Sequence, residues 1–483
     1  MSPFDHEPRP VWQHFEQICA IPRPSRHEGA LRDAIVAWAE RKGIDCEVDT
    51  TGNLILRKPA SRGREGLPGV VLQGHLDMVC QKNAGTGHDF LRDPIRPVLR
   101  DGWLIAEETT LGADNGIGVA MALAVLEADG IAHPPLEVLL TIDEETGMTG
   151  AHGLAPGLLE GQLLINLDTE DWGEVYLGCA GGVDVHVNHG FEAFEPTAGL
   201  QPCRVEISGL QGGHSGVDIH LERGSAIVLL ARALEELAKD GFVLAAIDGG
   251  TARNAIAREA SARGYLPEGS FAAARARIAA LGETVLAELE GTGDRPGILL
   301  HAASGPTGRI LAPADQARLI ATLRAAPQGV ERMSQSVPGV VESSDNLGVL
   351  RLDEGRLEAV FLVRSLRDSA CRDLADRIAG LFALIGAEAR QSGAYPGWTP
   401  DPSSPLLACF HRVFERRFGF RAAEKVIHAG LECGIVLAKY PAMQMISFGP
   451  TIRGAHAPGE RLEIATVAPA WEMLVDLLQE LPG

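Results

Sequence analysis

A chain of 483 residues is long enough for two or three domains and at least one sizeable core, and 45% hydrophobic with 22% charged residues is a folded composition, not a disordered one. Its 43 lysines and arginines against 64 aspartates and glutamates leave a formal charge of −21, which argues against nucleic acid or an anionic membrane as the main partner, since both demand basic patches. The eight cysteines form no C-x-x-C pair, the first residues lack a basic and then apolar leader, and no run of about 18 apolar residues occurs, so reduced thiols and a cytoplasmic location are expected.

An apolar periodicity over 11–19 predicts a first helix, followed by the turn Ile21-Pro22-Arg23-Pro24. Ser25-Arg26-His27-Glu28 then has the form of a capping box for a second helix ending near residue 42. Short strands are expected at 46–48 and 53–57 about Thr51-Gly52. The run Val70-Val71-Leu72 opens a buried strand that leads into Gly74-His75-Leu76-Asp77. A helix at 117–128 and strands at 136–142 and 163–167 follow. Buried apolar strands alternating with helices predict an α/β sheet, largely parallel in its centre.

From about residue 181 the texture changes. Strands at 204–207 and 255–265 alternate with helices at 225–239 and 271–290. A second set is expected from strands near 340–351 and 357–366 and a helix at 368–385, although no repeat is visible at residue level. A Pro/Gly/Ser-rich stretch, 393–405, marks the exit. Beyond it come a helix at 406–418, the turn His428-Ala429-Gly430, another helix, and an apolar strand at 443–448. The expected fold class is therefore α/β. A mixed, centrally parallel sheet flanked by helices, residues 1–181 and 395–483, is interrupted by an inserted α+β domain of two half-repeats, residues 182–394.

Three of the predicted strands run at their carboxyl ends into histidine or acidic residues: His75 and Asp77, then Asp143-Glu144-Glu145, then Asp168. That is where α/β sheets keep their chemistry. An H-x-D pair can give a metal one imidazole and hold that ring in the right tautomer with the carboxylate, although a turn histidine near a helix cap reads the same way. Asp114, in Gly112-Ala113-Asp114-Asn115-Gly116, is either a helix N-cap or a bridging carboxylate. Glu144 and Glu145 are either a solvated acidic loop or a pair aimed separately at a metal and a water, and His456, in a glycine-rich loop after an apolar strand, is otherwise a surface histidine.

The ordered set GHLDMV, LGADNGIG, DEETGMTGA, NLDTE, GGHSG, ARNAIAR and SFGPTIRGAHAPGE resembles the co-catalytic dizinc peptidase family of carboxypeptidase-like deacylases, tripeptidases and dipeptidases, over essentially the whole chain. Within it the chain is most similar to the bacterial branch that cleaves Xaa-His dipeptides. The resemblance implies that His75, Asp114 and Asp168 bind one metal and that Glu145, Asp114 and His456 bind the other, with Asp114 bridging and a cis bond between Asp114 and Asn115. It implies a water activated between the metals, Glu144 as its general base and Asp77 as the residue that orients His75. In the inserted domain, read as a lid that closes, His214 would stabilise the oxyanion, while Asn254, Arg258 and Arg364 would hold the substrate carboxylate. Glu432 would meet the free substrate amine, although a helix cap or a surface pair explains it almost as well. The implied cofactors are two divalent ions, zinc first, with cobalt or manganese possible. The implied substrate is a short peptide with a free N-terminus, and the implied assembly is a homodimer. A tripeptidase or an N-acyl-amino-acid deacylase of the same family is the near alternative, and a catalytically silent peptide- or metal-binding protein the distant one.

Overall fold

The computed structural model describes residues 2–305 and 307–481. The chain forms two compact units. The first comprises Met1–Gly178, Pro400–Val426 and Leu431–Gly483, and the second comprises Cys179–Thr399 and Ile427–Gly430.

The first unit is built on an eight-stranded sheet in the order Asp45–Val48, Leu54–Lys58, Leu136–Thr141, Val70–His75, Leu163–Asn166, Gln444–Ser447, Glu174–Cys179, Ala423–Ile427. The four middle strands, from Leu136–Thr141 to Gln444–Ser447, are mutually parallel. Their outer neighbours Leu54–Lys58 and Glu174–Cys179 are antiparallel to them. Strand Val70–His75 is buried at every position, which is why its sequence is a continuous run and not an alternation. Helices Arg9–Cys19, Ala113–Glu127, Pro405–Phe418 and Ile464–Glu480 complete a core that includes Trp12, Phe15, Leu72, Ile165, Phe410 and Leu474.

Helix Ala113–Glu127 is interrupted at its entrance, where Asp114 and Asn115 leave helical geometry, and its regular part begins at Gly116, beside the residue 117 that the apolar pattern suggests. Two glycines let that entrance sit against the strand ends. A Cβ on Gly74 would lie 2.2 Å from Asn115 Oδ1, and one on Gly118 would lie 2.3 Å from the Leu167 carbonyl oxygen. The expected capping box at Ser25–Glu28 does not form. Ser25 donates instead to Asp77 Oδ2 at 2.7 Å, and Glu28 Oε1 accepts the N–H groups of Arg26 and Asp143 at 2.8 and 3.0 Å. Long-range partners have taken both ends of the local motif.

The second unit carries a separate antiparallel sheet ordered Gly297–Ala302, Leu200–Ser208, Ala260–Pro267, Val243–Gly249, Val341–Asp353, Arg356–Ser365, Gly181–Gly190, Glu388–Tyr395, with Gly329–Met333 paired to Val341–Asp353. This order is two βαββαβ halves. In the first, Leu200–Ser208, helix Ala226–Ala238, Val243–Gly249, Ala260–Pro267, helix Phe271–Glu288 and Gly297–Ala302 follow in the chain, and in space their strands run fourth, first, third, second. In the other half, Gly181–Gly190, helix Pro313–Ala325, Val341–Asp353, Arg356–Ser365, helix Asp368–Ala383 and Glu388–Tyr395 give the mirror order. The halves join edge to edge where Ile247, Asp248 and Gly249 pair with Leu352, Arg351 and Leu350. Alternating burial, as in Cys203, Val205 and Ile207, marks a sheet covered by helices on one face. The expected fold class, a centrally parallel α/β sheet plus an α+β insertion of two half-repeats, is the observed one.

Asp345, in strand Val341–Asp353, is buried with Oδ2 lacking a partner. Burial, helped by Glu331, pushes its carboxyl from 3.8 up to about 8. A group raised in the folded state contributes stability that is complete below the unfolded value and is lost as pH rises through the folded one. Asp345→Asn is therefore expected to raise the melting temperature relative to the parent above pH about 8, with the advantage gone below pH about 3.8. An equal shift at both ends of a pH series of thermal melts would refute this.

Candidate metal centre

The four parallel strands of the first unit present their carboxyl ends at one edge. His75 is the last residue of its strand, Asp143 to Glu145 follow Leu136–Thr141, Asp168 follows Leu163–Asn166, and the segment leaving Gln444–Ser447 reaches His456. At the centre stands Asp114. Its Oδ1 lies 3.1 Å from His75 Nε2 and its Oδ2 lies 3.1 Å from His456 Nε2. Asp168 Oδ1 lies 3.3 Å from the same His75 nitrogen, and Glu145 Oε2 lies 3.0 Å from the same His456 nitrogen. His75, Asp114 and Asp168 form one group whose ligand atoms lie within 4.8 Å of one another, and Asp114, Glu145 and His456 form a second. His75, Glu144 and Glu145 meet the same limit, so Glu144 stands beside both.

Asp77 organises this edge without joining either triad. His75 Nδ1 lies 3.1 Å from the Asp77 carbonyl oxygen and 3.3 Å from Asp77 Oδ1. Facing two acceptors, Nδ1 keeps the proton of the neutral ring and leaves the Nε2 lone pair turned toward Asp114 and Asp168. The same carboxylate accepts the N–H of Glu144 at 3.0 Å and of Glu145 at 3.2 Å. Burial would raise the Asp77 pKa, but His75, the Ser25 hydroxyl and the Glu144 N–H outweigh it and hold the group at about 2.

The other carboxyls show what so much like charge costs. Burial first, then its acidic neighbours, pushes Asp168 to about 7, Glu170 to about 8 and Glu432 to about 8, and raises Glu144 well above the usual range. His456 is raised to about 11 by its hydrogen bonds to Asp114 and Glu145. Burial opposes protonation of His75, yet Asp168, Asp114 and Asp77 raise it well above an ordinary histidine. Glu145 Oε1 is buried with no hydrogen-bond partner among the described residues, and Asp168 Oδ1, also buried, has the His75 ring nitrogen at 3.3 Å. Two imidazoles, carboxylates in excess and a buried oxygen without a donor are the donor set of divalent cations, and the residues fit a pair of them sharing Asp114.

Asp114 is not an N-cap, since Gly112 holds that position and the Asp114 side chain makes no capping bond. Its bond to Asn115 is cis, as the resemblance implies. Glu144 and Glu145 begin a short helix, Glu144–Gly147, and the Glu145 side chain is buried. Glu432 is neither a surface pair nor a cap. It is buried, with Oε2 accepting from Gln73 Nε2 and Thr141 Oγ1, both at 2.6 Å, while Oε1 has no partner.

The remaining four predicted residues belong to the second unit. His214 and Ala255 pair in a two-stranded ribbon that ties the GGHSG and ARNAIAR segments together. His214 Nδ1 accepts the N–H groups of Gly216 and Val217 at 3.2 and 3.0 Å. That fixes the tautomer: the proton sits on Nε2, and burial, with Arg364 nearby, lowers the pKa and keeps the ring neutral. Arg364 is buried, donates to Tyr395 Oη at 2.7 Å and has Nε without a partner. Asn254 and Arg258 are exposed.

Sequence reasoning missed Gln73, Arg23 and the function of Glu460. Gln73 links Glu432 to Asn166. Arg23 read as part of a turn, and Glu460 only closed a quoted motif.

The profile of peptidase family M20/M25/M40 matches residues 71–480. The chain is 43% identical over 477 residues to the cytosol non-specific dipeptidase of Escherichia coli strain K12, covering 99% of this chain and 98% of that one. It is also similar to the crystal structure of aminoacylhistidine dipeptidase from Vibrio alginolyticus, at 45% identity and a TM-score of 0.92, covering 99% and 98% of the two chains. The aminopeptidase PepT structure from Bacillus cereus ATCC 10987 shares the fold, with a TM-score of 0.56 at 16% identity over 98% of both chains.

Replacing Asp77 by Asn sets an amide NH₂ against at least one of the donors that the carboxylate now accepts. Affinity for divalent cations is expected to fall by about 10–100-fold, read by isothermal titration of the metal-free protein with zinc. An unchanged affinity would remove Asp77 from this role.

Proposed function

We propose that this chain, which belongs to peptidase family M20/M25/M40, is a metal-dependent dipeptidase that hydrolyses dipeptides with a free N-terminus, Xaa-His among them. The single observation that carries the reading is Asp114, one carboxylate oxygen turned to His75 and the other to His456. The names of the Escherichia coli and Vibrio relatives support the substrate class.

In this reading His75, Asp114 and Asp168 hold one divalent cation and Glu145, Asp114 and His456 hold the other, zinc first, with cobalt or manganese admitted by the same donors. When bound, the cations would lower the pKa of a water toward neutrality and polarise the scissile carbonyl. Glu144 takes the proton of that water and returns it to the leaving amine. A carboxylate beside the cations but not on them suits both transfers. Asp77 keeps the backbone of Glu144 and the ring of His75 in place.

Residues 182–394 serve as an inserted lid and substrate-binding domain. His214, neutral with its proton on Nε2, is the donor for the oxyanion. Arg364, buried with Nε unpaired, receives the substrate carboxylate, with Asn254 and Arg258 in support. Glu432, with one oxygen unpaired, receives the substrate amine. We place the enzyme in the cytosol as a homodimer. No helix among the described residues is long and apolar enough to cross a membrane.

Glu144→Gln is expected to lower kcat by about 10²–10⁴-fold while cation content stays at the parent level. In a panel of β-Ala-His, other dipeptides, a tripeptide and N-acetyl amino acids, free dipeptides should be cleaved and N-acetyl amino acids left intact. Full activity after exhaustive chelation, or in the Gln variant, would overturn the reading. Preference for N-acetyl substrates would move the chain to the deacylases.

A further inference from the structure

Two buried charged residues outside the ligand set hold the loop that carries Asp114, and they hold it from opposite sides. Glu460 is 2% exposed. Its Oε2 accepts the N–H groups of Leu111 and Gly112 at 2.7 and 2.9 Å, and its Oε1 accepts that of Ala113 at 2.8 Å and, more weakly, that of Asp114 at 3.4 Å. Glu460 ends the segment that contains His456, and its own carbonyl oxygen accepts the N–H of Ala106 at 3.1 Å. One side chain therefore ties the backbone that leads into the bridging carboxylate, from Leu111 to Asp114, to the segment bearing the histidine on Oδ2 of that carboxylate. Arg23 makes the complementary tie. Also 2% exposed, it donates through one terminal nitrogen to the carbonyl oxygens of Leu76 and Asp77 at 2.9 and 2.6 Å, and through the other to that of Gly112.

We propose that Glu460 and Arg23 are positioning residues for the metal pair: between them they lock the Asp114 loop to the His456 segment and to the His75 strand end, so that all three arrive at fixed separations. The proposal rests on the dimetal reading above. A carboxylate suits position 460 because it has only acceptors to offer a row of N–H groups and its charge strengthens each bond. Glutamine, of the same shape, must turn its NH₂ toward the donors of Leu111 and Gly112 or toward that of Ala113. A guanidinium suits position 23 because its rigid fork reaches carbonyls on two loops at once, which a lysine ammonium cannot reproduce.

The test compares Glu460→Gln and Arg23→Lys with a matched control, Glu137→Gln. Glu137 is also a buried carboxylate that accepts two backbone N–H groups, those of Glu160 and Gly161 at 2.9 and 2.8 Å, and it touches no ligand-bearing loop. Each metal-free protein is titrated with zinc by calorimetry, its cobalt form is examined by visible absorption, and its folding is followed by circular dichroism and thermal melting. Both test variants should lose affinity for at least one cation by about 10–100-fold and change the cobalt spectrum, while Glu137→Gln melts earlier and keeps parental affinity and spectrum. Variants that melt earlier yet bind both cations as the parent does would overturn the proposal, as would a control that loses affinity equally. Should Glu460→Gln fail to fold, Glu460→Asp, which keeps the charge but is one methylene too short to reach all the donors, is judged by the same readings. A parent protein that binds no cation would instead sink the dimetal reading itself.

Discussion

Asp114 sets one carboxylate oxygen against each of two histidines, and the rest of the first unit is arranged to make that possible. The two histidines come from places 381 residues apart in the chain, positions 75 and 456. A carboxylate about 2 Å wide can serve both only if three separate loops arrive within a few tenths of an ångström, which is the tolerance that functional sites demand. Four adjacent parallel strands supply the rigid frame. Short-range bonds do the rest: Asn115 donates to the Leu167 carbonyl at 2.6 Å and accepts the His75 N–H at 3.3 Å, joining two strand ends to the helix entrance.

The neighbouring glutamates show how one dipeptide step separates two duties. Glu145 reaches His456 with Oε2, whereas Glu144 lies beside His75 and Glu145, with no histidine among the described residues hydrogen-bonded to it. Desolvation raises Glu144, and although the His75 charge pulls the other way, the charges of Asp168, Glu432 and Glu145 add to the rise. Both backbone N–H groups are held by a single carboxylate, Asp77, so the divergence of the two side chains is not left to a mobile loop.

Much of this frame was legible in the sequence, for physical reasons. A strand buried on both faces favours a run of apolar side chains, so Val70-Val71-Leu72 announced itself, and chemistry at its carboxyl end followed from the geometry of parallel sheets. What stayed hidden depended on partners far along the chain. Ser25 and Glu28 match a local capping pattern, but Asp77 and Asp143, which only the fold brings near, compete for them and win. Glu432 gave no sign that Gln73, 359 residues away, would bury it. In the second unit the half-repeats were visible as texture, whereas edge strands such as Gly297–Ala302 and Glu388–Tyr395, with half their side chains or more exposed, carry too weak an apolar pattern to be read.

The carboxylates without donors also say where cations act on stability. A buried oxygen such as Glu145 Oε1 raises the free energy of the metal-free state, and a cation that coordinated it would remove that penalty. By mass action, a ligand at about a thousand times its dissociation constant adds about 4 kcal/mol to the folded state, a sizeable part of a typical domain's stability. Yet the sheet core of Leu72, Ile165 and Leu140 is buried and apolar and does not include that oxygen. The strain is concentrated in the loops at the strand ends, where like charges meet, and not in the frame beneath them. In the proposed reading, cation binding would complete the assembly of an edge that the apolar core has already brought within reach, and the same crowding that weakens the edge would favour ions of double charge there.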